Sequence, residues 1–315
     1  MTTPDTVSLV FGAGGLLGSG VARYLGPSAM HGSQGYPWSD NEALGTRARS
    51  AVERLFEEAS RAGRPWTIYW CAGLGHVGAS SAVLEADEMS LRTVLAAITS
   101  TPPETDGAIC LASSAGALYA GSMANPATED TEVSPLSEYG RSKLRQEAMV
   151  AEAVAGSDRM RALVARISNL YGPGQSATKP QGLITTIVRN TLDRRPTNIY
   201  VPLDTARDYV HTRSAAQMLG LLTRSALSAP SRSTTIRIVA AERTTSISQI
   251  IGTIGRVLRK RVPFVVAERP ETRLQPVLLG FRSMNPATHL LDKVTLEEGL
   301  ASLINHLRQA QASGR

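Results

Sequence analysis

Cysteine is scarce in this 315-residue chain, with only Cys71 and Cys110. Both close apolar runs that read as central strands, so the sequence predicts buried thiols in a reducing compartment rather than a disulfide or a metal site. Histidine is equally thin. His31, His76, His211, His289 and His306 are scattered, without metal-ligand spacing to cysteines or carboxylates, and read as surface or capping residues. No apolar stretch reaches the length of a membrane span. The first apolar run begins at Val7 and leads directly into a glycine turn, so no signal peptide is expected and the chain reads as cytoplasmic. Aromatic residues are only 5% of the sequence and do not interleave with basic ones, which argues against a nucleic acid partner. Gly-x-Ser-x-Gly is absent, and with it the context of a hydrolase nucleophile. The net charge of +6 has its densest run at Arg256 and Arg259-Lys260-Arg261, which reads as a solvated helix end. The remaining excess suits an anionic small molecule such as a diphosphate.

What the chain does have is alternation. Thr6–Phe11 is a strand-length apolar run, followed by a short helix over Leu16–Leu25 that ends at Gly26-Pro27. The next strand is poor, with only Ala29-Met30 before His31. From Asn41 to Ala62 the apolar positions Leu44, Ala48, Val52, Leu55, Phe56 and Ala59 share one helical face, with Ser39 and Glu42 as a capping-box pair and Gly63 as the stop. Strands at 67–71, 107–112 and 161–167 then alternate with helices at 82–100 and 137–155. Such alternation predicts an α/β doubly wound parallel sheet. After Tyr171-Gly172-Pro173-Gly174 the pattern loosens into helices near 182–192, 246–258 and 295–307 mixed with short strands, and the end from Gln309 reads as frayed. The division expected is a dinucleotide-binding domain over 1–172 and about 205–240. A smaller α/β substrate lobe takes about 173–204 and 241–315.

Gly12-Ala13-Gly14-Gly15-Leu16-Leu17-Gly18 lies between a strand and a helix, the context that gives a glycine motif its meaning. Glycine allows the tight turn and lets backbone N–H groups approach a pyrophosphate at the helix N-terminus. The acidic residue that ordinarily binds the ribose of NAD about 20 residues later is missing. That stretch reads His31-Gly32-Ser33-Gln34, with no carboxylate before Asp40. His31, Ser33 or Gln34 suits a 2′-phosphate, which leans the reading toward NADP over NAD.

Tyr139 and Lys143 are i and i+4 and share a helix face. A free phenol has a pKa near ~10; an ammonium group alongside is expected to lower it. Tyrosine then exchanges a proton with a substrate hydroxyl while hydride moves to or from a nicotinamide. Ser114, at the end of a strand, is placed to bond the same substrate oxygen, and lysine to bind the nicotinamide ribose.

These segments resemble an extended short-chain dehydrogenase/reductase of the NAD-dependent epimerase/dehydratase family, which acts mostly on nucleotide sugars. The resemblance rests on the glycine turn, Ser113 through Tyr119, and Pro135 through Lys143. Arg166 through Pro173, Arg207-Asp208-Tyr209-Val210-His211 and Thr295 through Leu300 extend it over almost the full length. It implies a Rossmann-type fold and a catalytic trio of Ser114, Tyr139 and Lys143, with Ser113 as a substitute for Ser114. It implies a cofactor site from Gly12, Gly15, Leu16, Leu17, Gly18, His31, Ser33, Ala72, Gly73, Ser113, Tyr139 and Lys143. Asn169 and Arg207 fall where the family binds the diphosphate of its substrate, with Lys179 and Gln181 beside them. A homodimer through the tyrosine-bearing helix and its neighbour is a further implication. The chain departs from the family in its eroded second and third strands. The asparagine expected near Glu88-Met89-Ser90 is also missing, and Ser214 stands where an aspartate is usual.

Dehydratases of this family place an Asp-Glu pair after the catalytic hydroxyl residue; Ala115-Gly116 carry no such groups. What remains is an epimerase or a reductase of a nucleotide-diphosphate sugar. The alternatives are an NADP-dependent ketoreductase on another small carbonyl compound, or a cofactor-binding regulator that has lost catalysis.

Overall fold

The computed structural model describes residues 6–27, 29–32, 35–174, 182–267 and 276–313. The chain opens with β1 (Val7–Phe11), α1 (Leu16–Leu25), α2 (Asn41–Ala62), β2 (Trp66–Trp70) and α3 (Ser81–Thr99). Then come β3 (Gly107–Ser114), α4 (Ala115–Leu118), α5 (Glu138–Ala155), β4 (Met160–Ile167) and β5 (Asn169–Tyr171). The second part adds α6 (Leu183–Leu192), β6 (Thr197–Ile199), β7 (Ala206–His211), α7 (Thr212–Leu227) and β8 (Thr234–Val239). It closes with β9 (Thr244–Ser246), α8 (Ile247–Leu258), β10 (Phe264–Val266), β11 (Leu278–Leu279), α9 (Pro286–His289) and α10 (Leu296–Ala312).

The main sheet has five strands in the order β1-β2-β3-β4-β8, every pair parallel. Parallel strands need covering on both faces, and their side chains divide by the two-residue period. Leu9, Phe11, Ile68, Trp70, Ile109 and Leu111 turn to the layer of α2, α3 and α5. Val10, Tyr69, Cys110 and Leu163 turn to α1 and α7. This is the doubly wound α/β arrangement that the alternation predicts. Trp66 and Trp70 are both core residues within β2.

The eroded second strand survives as one bridge between Leu9 and Met30, with Val10 N–H donating to Met30 O at 2.9 Å. Beyond that edge α2 covers the layer. Its N-cap is Asp40, whose carboxylate accepts the Glu42 and Ala43 N–H groups, and not Ser39 as the spacing predicts. A third core cluster joins Tyr171 to α6, α8 and α10, and the small pairings β5–β7–β11 and β6–β10 flank it. Helix α10 continues to Ala312 through the positions expected to fray.

Candidate active site

Three chain segments meet at the carboxyl ends of β1, β2 and β3. The first is the glycine turn. A Cβ on Gly12 would lie 2.6 Å from Ala72 N, and one on Gly18 would lie 2.1 Å from Gly12 O, so neither position has room for a side chain. Gly12 also has a φ of 82°, where L-residues are strained. Gly14 faces open space. Helix α1 has Gly15 as its N-cap, with no side-chain cap and no acidic residue in its first turn. An uncapped helix N-terminus behind an open glycine is a fitting cradle for a diphosphate. Leu17 is buried in the core and Leu16 is half-exposed at the helix start.

The second segment follows β2. Ala72 lies against Gly12, and Gly75 lies against the Tyr139 ring, where an added Cβ would be 3.3 Å from Tyr139 Cδ2. Residues 72–75 therefore link the glycine turn to the tyrosine. Gly73 is exposed, with a φ of 141°. Cys71 falls just past the strand and is half-buried, whereas Cys110 is buried inside β3.

The third segment is β3 with α5. Ser137 caps α5 by accepting the Gly140 N–H at 3.2 Å, which sets the first turn that carries Tyr139. Lys143 is 8% exposed, its Nζ 5.8 Å from the centre of the Tyr139 ring. The Lys143 ammonium donates to Ala112 O at 3.2 Å and Gln146 Oε1 at 3.0 Å. Ser114 caps the short α4 by accepting the Ala117 N–H at 3.3 Å, and its side chain is near enough to the Tyr139 phenol to favour the ionised form. Ser114, Tyr139 and Lys143 are thus brought together.

Ser113 is not with them. Successive strand residues face opposite sides, and its hydroxyl donates to Glu147 Oε1 at 2.5 Å. Glu147 in turn holds the Arg166 guanidinium through two bonds, at 3.1 and 2.8 Å, and Arg166 Nη1 donates to the Tyr119 hydroxyl at 2.8 Å. This buried pair was missed at the level of sequence. The available signal was an arginine inside the apolar run 161–167 and a glutamate four residues after Lys143.

The phenol also departs from expectation. Burial pushes Tyr139 up to about 12, with Asp87 adding to the rise and the Ser114 hydroxyl opposing it. Lys143 is lowered, chiefly by its own burial, against the pull of Asp87, Glu147 and Cys71. Desolvation is the largest cause of both shifts.

Asn169 and Arg207 lie on paired strands β5 and β7. Asn169 Nδ2 donates to Asp208 O at 2.9 Å, and Arg207 Nη1 to the carbonyls of Ala206 and Val277 at 2.9 and 3.1 Å. His31 is exposed next to the Met30 bridge. Ser33, Gln34, Lys179 and Gln181 lie outside the described residues.

Comparison with known proteins decides the family. The model of the NAD-dependent epimerase/dehydratase family matches residues 8–233. The chain belongs to that family. An Escherichia coli dTDP-4-dehydro-6-deoxyglucose reductase is 26% identical over 203 residues, 64% of this chain and 61% of the reductase. The match thus spans less than two thirds of that relative. A solved structure of MoeE5 in complex with UDP-glucose and NAD shares the fold at a TM-score of 0.76 and 20% identity, over 96% of this chain and 99% of that one. The Thermotoga maritima UDP-glucose 4-epimerase with UDP-glucose gives a TM-score of 0.75 at 19% identity, with the same coverage. Among the described residues, no helix is long and apolar enough to cross a membrane.

Proposed function

We propose that this protein transfers hydride between NAD or NADP and a nucleotide-diphosphate sugar, as an epimerase or a 4-keto reductase and not as a dehydratase. The observation that carries this reading is the meeting of Ser114, Tyr139 and Lys143 beside an uncapped glycine turn. When bound, the nicotinamide supplies the hydride donor or acceptor. Gly12, Gly15 and Gly18 then hold the diphosphate of the cofactor, and Ala72 and Gly73 line it. Ser114 and Tyr139 bond one substrate oxygen, and the Tyr139 hydroxyl gives or takes its proton. Lys143, anchored on Ala112 O and Gln146, keeps a positive charge under that exchange. Ala115 and Gly116 follow Ser114 without an acid or base, so elimination has no proton carrier there.

Arg207 is half-buried and bonded to backbone carbonyls, which leaves its charge to meet an anion; this supports a diphosphate on the substrate. Asn169 beside it adds a neutral amide. Segments 173–204 and 241–315 are assigned to the lobe that closes over the sugar. Asp40, the first carboxylate after the glycine turn, is spent on capping α2. That favours NADP and keeps a second reading, a ketoreductase acting on a non-sugar carbonyl compound. A silent regulator is disfavoured by the complete trio. Native mass spectrometry of the gently purified protein tests the proposal. Retained NAD indicates an epimerase; an empty site that takes up NADPH indicates a reductase; failure to bind either nucleotide rejects the reading.

A further inference from the structure

Asp87 projects from α3 toward the loop after β2. Its two carboxylate oxygens accept the Leu74 N–H at 3.0 and 2.9 Å, and Oδ2 accepts the Gly75 N–H at 2.6 Å. Gly75 separates this carboxylate from the candidate acid/base: a Cβ there would stand 3.0 Å from Asp87 Oδ2 and 3.3 Å from Tyr139 Cδ2. Gly73 is crowded from the same side, its Cβ position lying 3.2 Å from Asp87 Oδ2. One side chain thus fixes the backbone of a loop that touches the glycine turn at Ala72 and the tyrosine at Gly75.

We propose that Asp87 is a positioning residue, which clamps the Leu74–Gly75 segment against Tyr139 and sets the charge balance felt by Tyr139 and Lys143. This rests on the reading of Tyr139 as the proton carrier. A negative charge at this place disfavours a phenolate at 139 and favours an ammonium at 143. Ser114 stabilises the phenolate from β3. Glu147 on α5 and Cys71 after β2 act on Lys143, but Glu147 is already held by Arg166 and Ser113. Glu88, next to Asp87 on α3, is paired with Arg145. Asp87 therefore acts on both members of the pair while its own bonds go to amide N–H groups.

The test compares the full-length protein with Asp87→Asn and Asp87→Ala. The asparagine keeps an acceptor oxygen and loses the charge; the alanine loses both. Hydrogen exchange of the 71–78 segment needs no turnover. It should remain near wild type in Asp87→Asn and rise at least roughly tenfold at Leu74 and Gly75 in Asp87→Ala. Nicotinamide reduction at 340 nm, with UDP-glucose and dTDP-glucose as probes, should show its acidic limb displaced to lower pH by roughly one unit in both variants. Exchange unchanged in Asp87→Ala, or activity lost equally at every pH without displacement, would overturn the proposal. The outcomes separate from the parent reading. A wild-type protein that binds neither NAD nor NADP removes the catalytic role, while the clamp still stands or falls on exchange alone.

Discussion

At Tyr139 two effects of burial oppose each other. A phenol pushed up to about 12 is a weak acid that stays protonated at neutral pH, so little phenolate is present to act as a base, and Lys143 beside it is lowered by the same desolvation. The site as folded favours the protonated phenol, which suits delivery of a proton to a carbonyl oxygen during reduction. Proton removal in the reverse direction then calls for positive charge close to the ring. Beside the trio, Glu147 and Arg166 form an ion pair with side chains 9% and 7% exposed. Breaking a buried pair costs more than the pair contributes, because one charge stays behind without a partner. Glu147→Gln is expected to destabilise the fold by roughly 3 kcal/mol, read by urea unfolding, with Ser113 and Tyr119 losing order as Arg166 shifts. A change below 0.5 kcal/mol, about the scatter of surface substitutions, would show that the network does not hold this end of β3.

Among the elements, α1 and α5 matter most, and each is set at its N-terminus. Ser137→Ala removes the cap of α5 at a cost of about 1 kcal/mol and should lower the thermal midpoint while slowing turnover, since Tyr139 sits in the freed turn. Gly18→Ala drives a methyl group into the Gly12 carbonyl and should weaken nicotinamide binding by roughly tenfold or more, measured by titration calorimetry. Equal affinity would separate the glycine turn from the cofactor. What the sequence made readable follows the same division. Spacing along one helix placed Tyr139 above Lys143, and a glycine turn between a strand and a helix needed only local geometry. Which of Ser113 and Ser114 faces Tyr139 was not readable, because it depends on which face of β3 meets α5, and the partner of Ser113, Glu147, lies 34 residues away. Asp87 carries no motif at all; its role exists only through space. The α2 cap was read one residue early, at Ser39, because a hydroxyl three residues before Glu42 imitates a capping box that the Asp40 carboxylate pre-empts.

For the whole molecule, the main sheet among the described residues ends at β1, with only the Leu9–Met30 bridge beyond it. Burial of phenols gives the fold a pH signature. Tyr36, Tyr69, Tyr139 and Tyr171 are all raised by desolvation. Folded protein holds these protons more tightly than the unfolded chain, whose phenols titrate near ~10. Their contribution to stability is therefore complete below pH ~10 and is lost as pH rises through the folded values. Thermal midpoints are expected to be flat from pH ~7 to ~9 and to fall steeply above ~10; a midpoint still rising there would contradict the burial pattern.

The proposed chemistry depends on one hydroxyl. Tyr139→Phe, assayed for hydride transfer with a panel of nucleotide sugars and both nicotinamide nucleotides, tests it most directly. Turnover should fall by roughly a hundredfold to ten-thousandfold, while the affinity for the nucleotide stays within about threefold of wild type. A variant that turns over at the wild-type rate would contradict the proposed chemistry.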